Sequence, residues 1–83
     1  AKHTITTQHE STLKAINATI KQLSLNGVCA VMVYSGHAEG AIEASYIKEY
    51  VKTLSASKYT VGCYRLINHK QTAPYLYLIE RTS

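Results

Sequence analysis

The sequence predicts an α/β domain with a three-stranded mixed sheet, built in the order helix, strand, helix, strand, strand. Three observations carry that expectation. Val28 through Val33 reads V-C-A-V-M-V, an unbroken apolar run of the kind covered on both faces, as strands of parallel α/β sheets are. Stretches with helical spacing flank that run on either side. Two further stretches rich in β-branched and aromatic residues, Tyr59 to Ile67 and Tyr75 to Ile79, then close the chain around the only proline, Pro74.

The first helix is predicted from Leu13, Ile16, Ile20 and Leu23, which fall on one stripe with Ala15 beside it. Thr7 and Glu10 fit a capping box that starts this helix near Gln8. Gly27 is expected to end it by taking the left-handed conformation of a C-terminal cap. The strand Val28–Val33 leaves through Tyr34-Ser35-Gly36-His37-Ala38-Glu39-Gly40, a G-H-x-x-G turn. Ligands of open α/β sheets gather at the carboxyl ends of strands, so chemistry is expected at this turn. In the second helix Ile42, Ile47, Tyr50, Val51 and Leu54 form the apolar stripe, with Glu43, Lys48, Glu49 and Lys52 mostly opposite. Ser55-Ala56-Ser57 closes that helix.

The two terminal strands, joined through Asn68-His69-Lys70-Gln71-Thr72-Ala73, should pair antiparallel, whereas a crossover helix makes Val28–Val33 parallel to Tyr59–Ile67. The last strand then lies between the other two. Nothing else in the chain reads as a strand able to flank the free edge of Val28–Val33. That edge is therefore expected to be covered by a second copy, giving self-association.

With 83 residues there is room for one small domain. Hydrophobic residues make up 46% and charged residues 17%, too apolar for disorder, while no apolar stretch approaches the ~20 residues of a membrane span. The amino terminus, Ala1-Lys2-His3-Thr4, has neither an initiating Met nor an apolar signal core and reads as an internal start. The net charge of +4 comes from nine Lys and Arg against five Glu with no Asp. These cations never form a run, so they read as an ordinary solvated surface on which nucleic acid is permitted without being indicated. Cys29 and Cys63 sit in strand-like segments and read as reduced, buried, structural thiols of a cytoplasmic protein. His37, His69, Cys29 and Cys63 lack paired metal spacing, and no metal site is expected. Ser35 beside His37 lacks an orienting acid and a G-x-S-x-G elbow, which excludes a serine nucleophile.

Three stretches in order carry a resemblance: Ile5-Thr6-Thr7 before the first helix; Val33-Tyr34-Ser35-Gly36-His37 with Glu39-Gly40; and Asn68-His69-Lys70-Gln71-Thr72-Ala73-Pro74-Tyr75-Leu76 in the hairpin. Together they span nearly the whole chain, which resembles the carboxyl-terminal half of YtqB-like class I S-adenosylmethionine-dependent methyltransferases, the family labelled rRNA methylases. Ser35, His69 and Ala73 depart from residues frequent in that family. The resemblance implies a Rossmann-like fold over residues 1–83. It also implies an MnmM-type activity, methylation of 5-aminomethyl-uridine at the tRNA wobble position with S-adenosylmethionine as cofactor and RNA as partner. The family's glycine-rich loop and ribose-binding acid belong to its amino-terminal half. No G-x-G-x-x-G and no Asp occurs here, so the 83 residues alone are expected to be inactive and to bind the cofactor weakly.

Under that resemblance His37 is the candidate catalytic base, since an amine must be neutral before it attacks a methylsulfonium. A loop histidine that hydrogen-bonds its own turn is the competing reading. Tyr34 could stack on a base or border the core, and Gly36 lets the backbone turn or approach a ligand. Gly40 reads as the entrance to the second helix. Asn68 could orient a base or ribose, or satisfy a turn, and Lys70 beside it could contact phosphate. Thr7 is the one residue assigned to the cofactor side, because helix amino termini suit anions, although capping explains it equally. The alternative to an enzyme is a non-enzymatic α/β module that self-associates or completes another chain's sheet through the free strand edge.

Overall fold

A computed structural model of the chain describes residues 2–6, 9–36 and 38–83, with side chains from Thr12 onward. The elements are β1 (Lys2–Thr6), α1 (His9–Lys21), β2 (Val28–Val33), α2 (Ala38–Lys52), β3 (Tyr59–Tyr64) and β4 (Tyr75–Arg81). From α1 onward this is the predicted order. β4 pairs antiparallel with both β2 and β3, so the last strand lies between the other two as expected.

The sheet has one strand more than predicted. Its order is β1-β2-β4-β3, and β1 pairs parallel with β2 from Lys2 opposite Val28 to Thr6 opposite Met32. The edge expected to recruit a second copy is covered by the chain itself, and Val28–Val33 is an interior strand. The reason lies in K-H-T-I-T, which has a single apolar side chain. Such a segment enters a sheet through its backbone hydrogen bonds, and those leave no trace in a hydrophobic pattern.

Both helices pack on one face of the sheet. Successive strand residues point to opposite faces, and the residues of one face, Cys29, Val31 and Val33 from β2 and Tyr75, Tyr77 and Ile79 from β4, join one cluster with helical residues. Ile16, Ile20, Ala44, Ile47 and Val51 supply the helical side, and Leu23 follows α1 into the same core. Tyr50 Oη donates to Asn17 Oδ1 at 3.1 Å and ties the helices together, while Tyr59 Oη donates to the carbonyl of Ile20 at 3.3 Å and ties β3 to α1. The other face presents Ala30, Met32, Leu76, Leu78 and Tyr64, and no helix among the described residues covers it.

Several local expectations change. The stripe of α2 is Glu43, Ala44, Ile47 and Val51, with Glu43 buried and Ile42 exposed at 59%. Gly40, Glu43, Ala44, Ile47 and Val51 follow the 3–4 spacing of one helical face. Asn26, at φ 68°, and not Gly27 takes the left-handed conformation before β2. Asn tolerates that region because its short amide bonds locally. β3 stops at Tyr64, and Ile67 beyond it is almost wholly exposed. Cys29 is buried, and burial pushes its thiol up, whereas Cys63 on edge strand β3 is exposed. The capping role of Thr7 lies outside the described residues.

Ile47→Ala should cost about 2–5 kcal/mol in urea unfolding, as truncation of a fully buried Ile does, while Ile42→Ala should stay within about 0.5 kcal/mol of the parent. Equal losses would mean that α2 presents its other face to the sheet.

Candidate functional site

β1, β2 and β3 run in one direction and β4 in the other, so the carboxyl ends of three strands and the amino end of β4 share one edge of the sheet. Two connections meet there. Tyr34, Ser35 and Gly36 leave β2 toward α2, and Arg65 to Pro74 join β3 to β4. A Cβ placed on Gly36 would lie 3.6 Å from the carbonyl oxygen of Thr72 and 3.9 Å from its Cβ, so the two loops run side by side. Gly36 has no positive φ. Gly36 therefore does not supply the tight turn expected of it, and a methyl group there would meet only ordinary contact with Thr72.

The β3–β4 loop folds as two successive turns, His69 N–H donating to the Leu66 carbonyl at 3.4 Å and Ala73 N–H to the Lys70 carbonyl at 2.9 Å. A cavity of about 230 Å³ opens along it, walled among others by Arg65, His69, Lys70, Gln71 and Tyr75. The Arg65 guanidinium lies over the Tyr75 ring at 3.7 Å from its centroid, a cation–π contact of about 0.5–1 kcal/mol at an exposed site. Tyr75 and Tyr77 meet edge to face, centroids 5.6 Å apart. The Tyr77 hydroxyl is pushed up to about 12, first by burial and then by Tyr75 and Cys63, with Arg65 opposing. It is a neutral phenol at any physiological pH.

Of the residues singled out in the sequence, Tyr34 is half-exposed just after β2, Gly36 adjoins the hairpin loop, and Lys70 lines the cavity. Asn68 is exposed in the first turn of that loop and does not belong to the cavity wall. His37 and Thr7 lie outside the described residues; their chain neighbours Ala38 and Thr6 begin α2 and end β1 at the same edge of the sheet. Arg65, Thr72 and Tyr75 were missed. The register points to the first and last, since one step beyond the final pair Tyr64–Leu76 sets Arg65 opposite Tyr75. Among the described residues no three His, Cys, Asp or Glu side chains converge as metal ligands, and no helix is long and apolar enough to cross a membrane.

A sequence profile for the family described as "Putative rRNA methylase" matches residues 1–80. A Streptococcus mutans protein described as a methyltransferase, solved in complex with SAH, is 28% identical, with a TM-score of 0.84 over 96% of this chain and 49% of its own. An rRNA methylase from Streptococcus thermophilus is 25% identical, with a TM-score of 0.82 over 99% of this chain and 46% of its own. A Clostridium thermocellum protein described as an rRNA methylase has a TM-score of 0.88 over 96% of this chain and 50% of its own; at 23% identity that likeness is one of fold. The chain spans about half the length of the solved structures it matches.

Gly36→Ala should keep its stability or gain up to about 1 kcal/mol, because the added methyl meets only ordinary contacts and stiffens the unfolded chain. Gly36→Leu should displace the Thr72 turn, seen as amide shifts confined to residues 70–74. A second test follows from Tyr77, whose folded pKa of about 12 exceeds the usual 10. The native state holds this proton more tightly, so its contribution to stability is fully present below pH 10 and is lost as pH rises through 12. Denaturant melts should show an alkaline fall that Tyr77→Phe makes shallower.

Proposed function

Because this chain belongs to the rRNA methylase family over residues 1–80, we propose that it is part of an S-adenosylmethionine-dependent methyltransferase acting on 5-aminomethyl-uridine at the tRNA wobble position. The observation that carries the reading is the meeting, at one edge of the sheet, of the loop after β2 and the β3–β4 loop, with Gly36 against Thr72. Ligands of such sheets bind at the strands' carboxyl ends, and the G-H-x-x-G turn begins there. The SAH in the Streptococcus mutans structure supports S-adenosylmethionine as the donor.

The residues described here do not compose a site for that cofactor. They include no G-x-G-x-x-G turn and no Asp for a ribose, so the contacts fall to the rest of the protein and the 83 residues alone are inactive. S-adenosylmethionine, when bound, supplies the methyl group. The chain's own contribution is to receive and orient the acceptor. His37 takes the proton that the acceptor amine must lose, Tyr34 lies against the base, and Lys70 meets a phosphate at the cavity rim. Asn68, outside the cavity wall, orients the flanking ribose from the loop's exposed side. Thr7, next in the chain to Thr6 of β1, serves the cofactor side.

The self-associating module loses its ground, because the edge of Val28–Val33 on which it rested is paired with β1. The apolar face formed by Met32, Leu76 and Leu78 fits a domain whose other half packs there, in keeping with matched structures twice as long.

In the intact protein His37→Ala should lower single-turnover methyl transfer by about a hundredfold or more while calorimetry finds unchanged cofactor affinity. The 83 residues alone should show no micromolar S-adenosylmethionine binding. An unimpaired rate in a folded His37→Ala variant would return His37 to a loop hydrogen bond.

A further inference from the structure

α1 and α2 together cover β1, β2 and β4, and edge strand β3 extends past their shelter. Val61 is half-buried and Cys63 exposed, although both point to the helical side. The result is a trough of about 460 Å³ between α2 and β3. Its floor is Val61, Cys63 and Tyr77, and Val51 forms the inner wall. Lys48 and Lys52, one turn apart on α2, and Arg65 just past β3 supply the charges in its lining among the described residues. Glu49, paired with Lys52 at 3.4 Å, is the nearby acid, and that pair is exposed on both sides.

We propose that this trough holds the phosphodiester backbone of an RNA strand, extending the acceptor site along β3. The proposal rests on the methyltransferase reading above and adds to it a second RNA contact. Arg65 lines both the trough and the cavity of the β3–β4 loop, so a strand leaving that cavity passes directly between the two lysines and Arg65. Three cations with no acid in the lining complement a run of phosphates, and the apolar floor accepts ribose or base faces without asking for hydrogen bonds. Cations that look scattered in the sequence are thus gathered by the packing of α2 alongside β3. The stack of Arg65 on Tyr75 pre-orients the guanidinium at the junction of the two spaces, which lowers the entropy lost on binding phosphate.

The test is fluorescence anisotropy of the intact protein with a labelled anticodon stem-loop RNA over a salt series, run beside methyl transfer to the same RNA. The double variant Lys48→Ala/Lys52→Ala should weaken binding about tenfold or more near 0.1 M salt and flatten the salt slope by roughly 1.4, about 0.7 for each lost single-strand phosphate contact. Lys14→Ala/Lys21→Ala removes the same charge from exposed positions of α1 and should change neither measurably. Equal weakening by both pairs, or none by the first, overturns the trough as an RNA site. Loss of binding to a poly-glutamate peptide with RNA binding intact also overturns it and assigns the trough to an acidic protein segment. Trough-dependent RNA binding without methyl transfer would sink the methyltransferase reading and leave the trough. Methyl transfer with trough-independent binding would do the reverse.

Discussion

β4 is hydrogen-bonded along both sides, to β2 from Glu80 opposite Val28 to Tyr75 opposite Val33, and to β3 from Arg81 opposite Tyr59 to Leu76 opposite Tyr64. The last strand of the chain therefore holds the sheet together. Its insertion aligns Val31, Tyr77 and Cys63 in one row and Cys29, Ile79 and Val61 in the next, and it is against these rows that the helices pack. The ladder also runs on past the strands. Asn26 N–H donates to the Arg81 carbonyl at 2.8 Å, Arg81 N–H to the Gly27 carbonyl at 3.0 Å, and the Arg81 side chain to the Leu23 carbonyl at 2.7 Å, which fixes the end of α1 to the end of β4.

The same insertion determines what stands at the opposite edge. With β2 and β3 antiparallel to β4, the loop after β2 and the loop between β3 and β4 have to emerge together, and Gly36 runs beside Thr72 with room for one methyl group between them. Arg65 is the residue that would next pair across from Tyr75, and its guanidinium lies on that ring. A cation, a tyrosine and a lysine-bearing turn are thereby held beside the G-H-x-x-G segment without any of them being near it in sequence.

Coverage of the sheet is uneven, and the unevenness is informative. Helices on one face leave Met32, Leu76 and Leu78 on the other without a helix over them among the described residues. An apolar run such as Val28–Val33 is the composition of a strand enclosed on both sides, so the sequence of β2 asks for more cover than α1 and α2 supply. On the covered face, two helices leave the outermost strand partly bare, and this opens the trough beside α2.

The sequence by itself determined the class, the order of elements from α1 to β4 and the placement of the last strand between the other two, because these follow from hydrophobic period and from the chain-length rules of crossovers and hairpins. It also located the start of the G-H-x-x-G segment, Gly36, at a strand's carboxyl end, although Ala38 to Gly40, read as part of a turn, belong to α2. Tertiary structure alone decided the rest. β1 became a strand because β2 offered an unpaired edge, not because K-H-T-I-T has a strand's pattern. Ile42 lost its place in the core to Glu43 because α2 turns the face of Ala44, Ile47 and Val51 to the core, which sets position 43 inside and position 42 outside. Asn26 took the left-handed turn expected of Gly27, and Cys63 was exposed because it lies toward the end of edge strand β3, past the part that the helices cover. Lys48, Lys52 and Arg65 came to line one trough only when α2 was laid beside β3, a proximity between residues on different elements that no local pattern encodes.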